Sequence, residues 1–167
     1  MWACKNPGED ARLYQAVEAC ADFAIELGIN VPTGKDSLSM KQKYPDHQVI
    51  APGTVIISAA GHCNNINQII EPILKSSEGD IFYINMSFSS FETGGSSFGQ
   101  ILNKIGDKAP NITEAVKFKA AFDTLQMLIK SGVIVAGHDI GSGGLITTLL
   151  EMCFADPDAG AIFDLTG

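Results

Sequence analysis

Apolar positions recur along this chain with two different periods. Between Asn6 and Gly28 they fall at Leu13, Val17, Cys20, Ala24 and Leu27, a single stripe at helical spacing. Asn6-Pro7-Gly8-Glu9 supplies a cap, a first-turn proline and a glutamate three residues beyond the cap, and Gly28 is placed to end the helix. A second stripe, Phe118, Phe122, Leu125 and Ile129, follows the capping pattern Asn111-Ile112-Thr113-Glu114 and stops at Ser131-Gly132. A third runs through Leu145, Leu149 and Met152, with Cys153 beside it, and Asp156-Pro157 stops it. Residues 98–104 predict a short helix. Residues 65–74 are isoleucine-rich, with helical or turn character that Pro72 breaks.

Between these stripes lie short, dense β-forming runs. Residues 54–61, 81–86 and 133–135 predict strands, the first and last of them interior and covered on both faces. Residues 29–31 lead toward a short strand, and residues 160–165 start another. Tyr44 to Gln48, around Pro45-Asp46-His47, predict a solvated hairpin loop with His47 exposed, and residues 76–80 predict a loop. His62, just past a strand end, reads as a structural hydrogen-bonding residue. The alternation of strands, glycine loops and helices gives an α/β or α+β fold, with a lobe boundary between positions 61 and 65. The aromatic positions of the second stripe read as core rather than as a stacking platform.

Composition narrows the function classes. At 167 residues and 46% hydrophobic content the chain can bury a core, as one domain or two small lobes. A formal net charge of −8 argues against a nucleic-acid binder, because no basic face can release counterions from a phosphate backbone. An anionic ligand must then be held locally, by backbone N–H groups, a few lysines or a bridging metal. Cys4, Cys20, Cys63 and Cys153 form no CxxC pair and no zinc spacing, so they read as reduced thiols. No apolar run approaches membrane-spanning length, and the N-terminus does not open a signal peptide, which points to the cytoplasm.

Three polar stretches invite a chemical reading. In Val133-Ile134-Val135-Ala136-Gly137-His138-Asp139-Ile140-Gly141-Ser142-Gly143-Gly144-Leu145, a strand feeds a glycine-rich turn and then a helix. That arrangement sets His138 and Asp139 at a strand's C-terminal end, before the free N–H groups of a helix start, where phosphate or a metal-phosphate complex binds. A plain turn at Asp139 is the competing reading. Gly34-Lys35-Asp36-Ser37 combines a close backbone approach, a cation and two oxygen-bearing side chains, although it lacks the glycine lead of a Walker A loop and also reads as a surface turn. Gly94-Gly95-Ser96, between a strand and a short helix, reads either as an anion cradle of converging N–H groups or as a flexible linker.

Taken together and in order, these stretches resemble one family. Asn6-Pro7-Gly8-Glu9-Asp10-Ala11, Val31-Pro32-Thr33-Gly34-Lys35-Asp36-Ser37-Leu38-Ser39-Met40, Gly94-Gly95-Ser96, His138-Asp139 through Gly143-Gly144-Leu145, and Leu149-Leu150-Glu151-Met152-Cys153-Phe154-Ala155 are similar to the phosphoribosylformylglycinamidine synthases. The likeness is to the later half of the synthetase region in their large single-chain form, within the aminoimidazole ribonucleotide synthetase-like superfamily. It implies that residues 1–62 are the later part of an A lobe that gives strands to a barrel. Residues 63–167 are then the first part of an α/β B lobe, with both lobes truncated.

The resemblance also implies an ATP-dependent carbon–nitrogen ligase of purine biosynthesis with glutamine as amido donor. In that reaction ATP phosphorylates the amide oxygen of formylglycinamide ribonucleotide, and ammonia displaces phosphate to give the amidine. By the same resemblance Asp139 would help hold Mg2+ with nucleotide phosphates. Gly34, Lys35, Asp36, Ser37, Gly143 and Gly144 would lie beside nucleotide, and Gly94, Gly95 and Ser96 near substrate phosphate; no catalytic base is assigned. The family often reads His-Asp-x-Ser-Asp-Gly-Gly, whereas this chain carries Gly141 and Ser142 at the Ser and Asp positions, which removes a second carboxylate. The implied partners are the remaining synthetase segments and a glutaminase domain, with the chain inactive alone, prone to self-association, or serving as a non-catalytic nucleotide-binding module.

Overall fold

Helix α1, Glu9–Leu27, forms where the first stripe predicts it and stops where Gly28 takes φ 72°. The Gly28 N–H reaches Ile25 O at 3.0 Å and the Ile29 N–H reaches Ala24 O at 2.8 Å, the paired bonds of a Schellman ending. The start differs from expectation. Asn6 does not cap; its N–H donates to Ala3 O and its carbonyl accepts from Glu9, a preliminary turn that delays the helix by two residues. The stripe is real but half-covered, since no residue of α1 is fully buried.

In the computed structural model, residues 1–75, 79–88, 90–156 and 160–164 are described. The chain divides into two compact units, Met1–His62 and Cys63–Gly167. In the first, the N-terminal segment is the centre. The Trp2 N–H donates to Ser37 O at 2.7 Å, Ala3 bridges Ser39 in antiparallel sense, and Met1 and Thr54 exchange backbone bonds of 2.7 and 3.0 Å. Trp2 and Ala3 are the buried apolar residues of this unit. Strands β1 (Lys41–Lys43) and β2 (Gln48–Ile50) pair antiparallel around the expected hairpin, where the exposed His47 ring stacks on Tyr44 at 4.6 Å.

The second unit opens with a 3-10 turn, Ile66–Gln68, capped by the Asn65 side chain. Glu71 then bridges Ala136 in parallel sense, and the Leu74 N–H reaches Met152 O at 2.9 Å. Helix α2 spans Ser97–Ile101, earlier and shorter than the expected 98–104, because the Ser96 hydroxyl caps it through the Gly99 N–H. Helix α3 is Ala115–Lys130 and α4 is Gly144–Glu151. Leu149 and Met152 are buried as the third stripe requires, together with Thr148 and Ala115. Of the aromatic face of α3, Phe118 is half-buried and Phe122 exposed, their rings 6.5 Å apart.

Four expected strands are corrected. Among the described residues only β1 and β2 form a ladder. Residues 29–31, 54–61, 81–86 and 133–135 are not strands, and Val55, Ile56, Ile57 and Val133 are exposed rather than interior. A strand exists only by pairing, and β-forming sequence without a neighbour to hydrogen-bond stays irregular. Residues 160–164 also form no strand, while the expected loop at 76–78, the stop at Pro157 and position 165 lie outside the described residues.

The surface agrees with this. The chain exposes 13376 Å², where two separate globules of these sizes would expose about 9,500 Å² by the usual scaling. Much apolar side-chain area therefore lacks a cover within this chain.

Candidate functional site

The turn from Ala136 into α4 holds one ring between three oxygens. His138 Nδ1 lies 2.7 Å from the Asp139 carbonyl oxygen and 3.5 Å from Asp139 Oδ1, and Nε2 lies 3.1 Å from Glu151 Oε2 at the far end of α4. The Asp139 carbonyl is approached a second time from the helix. Thr148 Oγ1 shares its proton between Gly144 O at 3.2 Å and Asp139 O at 3.4 Å. Asp139 is thus fastened by its backbone while its carboxylate is 98% exposed.

The helix start is set by the glycines. Gly144 takes φ 79°, and its N–H closes the turn onto Gly141 O at 3.0 Å. A side chain at Gly143 would meet Thr147, whose hydroxyl donates to the Gly143 carbonyl. Next in α4 come N–H groups that have no acceptor within a helix.

A contact invisible in the sequence joins two of the three polar stretches. The Ser97 N–H donates to Ser142 O at 3.1 Å, and the Ser97 and Ser142 hydroxyls are 3.3 Å apart. The beginning of α2 therefore lies against the glycine turn that opens α4. Gly94, Gly95 and Ser96 stand behind it, but not as the free cradle their sequence invites. Their N–H groups donate to Lys108 O, Ile105 O and Thr93 O, at 2.8, 2.8 and 3.1 Å. What this stretch turns toward the Asp139 loop is Ser97, the residue that follows it and opens α2. Thr148 is unmarked in the sequence, and Glu151 stands only in the run 149–155 that carries the family resemblance; the two sit three residues apart on α4.

The third stretch belongs to the first unit. Lys35 Nζ donates to Asp36 O at 2.6 Å and to Ser37 Oγ at 3.1 Å, so the ammonium is folded back on its own loop. The Ser37 carbonyl holds Trp2, which gives this stretch a structural duty. Gly34 is exposed, with no atom within 4 Å of where a Cβ would stand.

Among the described residues no three His, Cys, Asp or Glu side chains gather as a metal cage. A single exposed carboxylate suits a hard cation that keeps its waters and takes its other oxygens from phosphate, which is the habit of Mg2+. All four cysteines are free thiols, and no described helix is long and apolar enough to cross a membrane.

The sequence matches known families on both sides of position 62. Residues 1–62 match the FGAR-AT PurM_N-like domain, and residues 77–166 match the C-terminal domain of AIR synthase related proteins. Over 93% of its length the chain is 39% identical to the human "Phosphoribosylformylglycinamidine synthase". It is 38% identical, again over 93%, to the Arabidopsis thaliana "Probable phosphoribosylformylglycinamidine synthase, chloroplastic/mitochondrial". The chain spans only 12% and 11% of those two relatives. With one domain matched on each side of position 62 and relatives of one name, the chain belongs to the AIR synthase-related family, in its phosphoribosylformylglycinamidine synthase branch.

Proposed function

We propose that this chain is a segment of an ATP-dependent phosphoribosylformylglycinamidine synthase and carries one nucleotide-phosphate subsite, centred on Asp139. The full reaction converts formylglycinamide ribonucleotide, ATP and glutamine into formylglycinamidine ribonucleotide in purine biosynthesis. The observation that carries the reading is the Asp139 carboxylate, exposed on a backbone fastened by His138 and Thr148, in a loop that Ser97 meets at Ser142. Mg2+, when bound with nucleotide, would neutralise phosphate charge. Asp139 would hold it, with Gly143 and Gly144 shaping the helix start beside the phosphates. Gly94, Gly95 and Ser96 serve as the frame that places Ser97, and Gly34, Lys35, Asp36 and Ser37 as a second nucleotide contact.

In this reading residues 1–62 are the later part of an A lobe and residues 63–167 the first part of a B lobe. The remaining synthetase segments and a glutaminase domain complete the enzyme, in the cytoplasm, and the chain alone turns over no substrate. Its uncovered apolar surface supports self-association in isolation. A second reading, a non-catalytic module that holds nucleotide for stability, is favoured by Gly141 and Ser142, which leave the loop one carboxylate short of the usual family pattern.

Calorimetric titration of the purified chain with Mg·ADP, alongside Asp139→Ala, tests the site. Saturable binding that the variant loses, with an unchanged thermal midpoint, is the expected result. Absence of binding by the wild-type chain overturns the subsite. Complementation with the missing segments then separates the two readings, since Asp139→Ala stops turnover in a catalytic site and only lowers stability in a structural one.

A further inference from the structure

We infer that His138, backed by Glu151 and Thr148 of α4, is a positioning residue that presents the Asp139 carboxylate to a metal-phosphate ligand; this rests on the subsite reading above. The geometry separates the two halves of Asp139. Its carbonyl oxygen takes the His138 Nδ1 contact at 2.7 Å and the Thr148 hydroxyl at 3.4 Å. Its carboxylate stands almost wholly in solvent, with His138 Nδ1 at the longer distance of 3.5 Å. A carboxylate on a loose loop would lose conformational freedom each time it bound a cation. Fixing the backbone beforehand lowers that cost.

Glu151 gives the arrangement its reach. The imidazole is mostly covered, and its Nε2 lies 3.1 Å from Glu151 Oε2, so an oxygen acceptor stands beside each ring nitrogen. Glu151 sits one helical turn past Thr148, so a single helix supplies both braces. The serial order, carboxylate on helix, imidazole, then ligand-bearing group, is how outer groups orient a metal ligand, and their removal typically lowers metal affinity 10- to 100-fold.

The test is a Mg2+ titration at fixed ADP, followed calorimetrically on the full 167-residue chain and its variants. His138→Ala and Glu151→Ala are expected to raise the Mg2+ midpoint about tenfold, with ADP affinity at saturating Mg2+ kept near wild type. Glu151→Gln keeps an acceptor oxygen toward Nε2 and is expected to return the Mg2+ midpoint most of the way to wild type. If His138→Ala fails to fold, the half-exposed Glu151 carries the same test. An unchanged Mg2+ midpoint in wild-type-like variants overturns the inference while leaving the subsite standing. A uniform loss of affinity at every Mg2+ level also overturns it, by marking His138 as a fold element only. A wild-type chain that binds no Mg·ADP removes the subsite and the inference together.

Discussion

Replacing Gly53 by alanine should unseat the first unit's only buried aromatic. A Cβ built at Gly53 falls 2.5 Å from Cε2 of the Trp2 indole, and 2.7 Å from Cη2, well inside contact distance. Either the indole or the backbone at residue 53 must move by roughly an ångström. Overpacking of that kind costs about 1–3 kcal/mol. Complete expulsion of the indole sets the ceiling: about 150–250 Å² of aromatic surface returned to water, or roughly 4–6 kcal/mol. A shift short of expulsion is the expected outcome, because Trp2 is also tied by its backbone to Ser37.

Trp2 is the sole tryptophan and is 5% exposed, so it reports on itself. Urea unfolding followed by its fluorescence should show a lower midpoint in Gly53→Ala and native emission displaced to the red. Gly61→Ala, where no atom lies within 4 Å of the new methyl group, is the control and should match wild type. Identical emission and midpoint in Gly53→Ala and wild type would refute the seating of Trp2 over residue 53.

Two further outcomes follow from features already described. Ser96→Ala removes the hydroxyl that accepts from the Gly99 N–H and should destabilise the start of α2 by about 1 kcal/mol, read as faster amide exchange at Gly99. The isolated chain should sediment as a concentration-dependent association, given its uncovered apolar side chains; a single monomeric species across the accessible range would count against that.

The helices were legible because their information is local. The α1 stripe, the Gly28 ending, the buried Leu149 of α4 and Met152 just after it need only a period of 3.6 and a left-handed glycine. The start of α1 lies two residues beyond the one the capping pattern predicts because Asn6 joins a turn instead of capping, a choice between two local hydrogen bonds that composition does not decide. Strands failed for the opposite reason. Ile56 and Ile57 have the side chains of a strand, yet pairing is a property of neighbours, and they are 70% and 71% exposed here. Within the site, Asp139 was legible as a motif. The Ser97–Ser142 contact and the His138–Glu151 brace were not, since each joins positions that no periodicity relates.

The pairing of Glu71 with Ala136, and the neighbouring bond from Gly137 N–H to Glu71 O at 3.2 Å, have a kinetic meaning. They close the chain between positions 71 and 136, a loop whose ideal-chain entropy cost grows as its logarithm and comes to about 4 kcal/mol. The bridge and the neighbouring Leu74–Met152 bond offset little of that cost until α3 has shortened the span by coiling, so closure is expected after α3 forms. The Asp139 turn begins two residues beyond the bridge. Assembly of the candidate site is therefore expected after α3 has formed, in the later part of the second unit's folding.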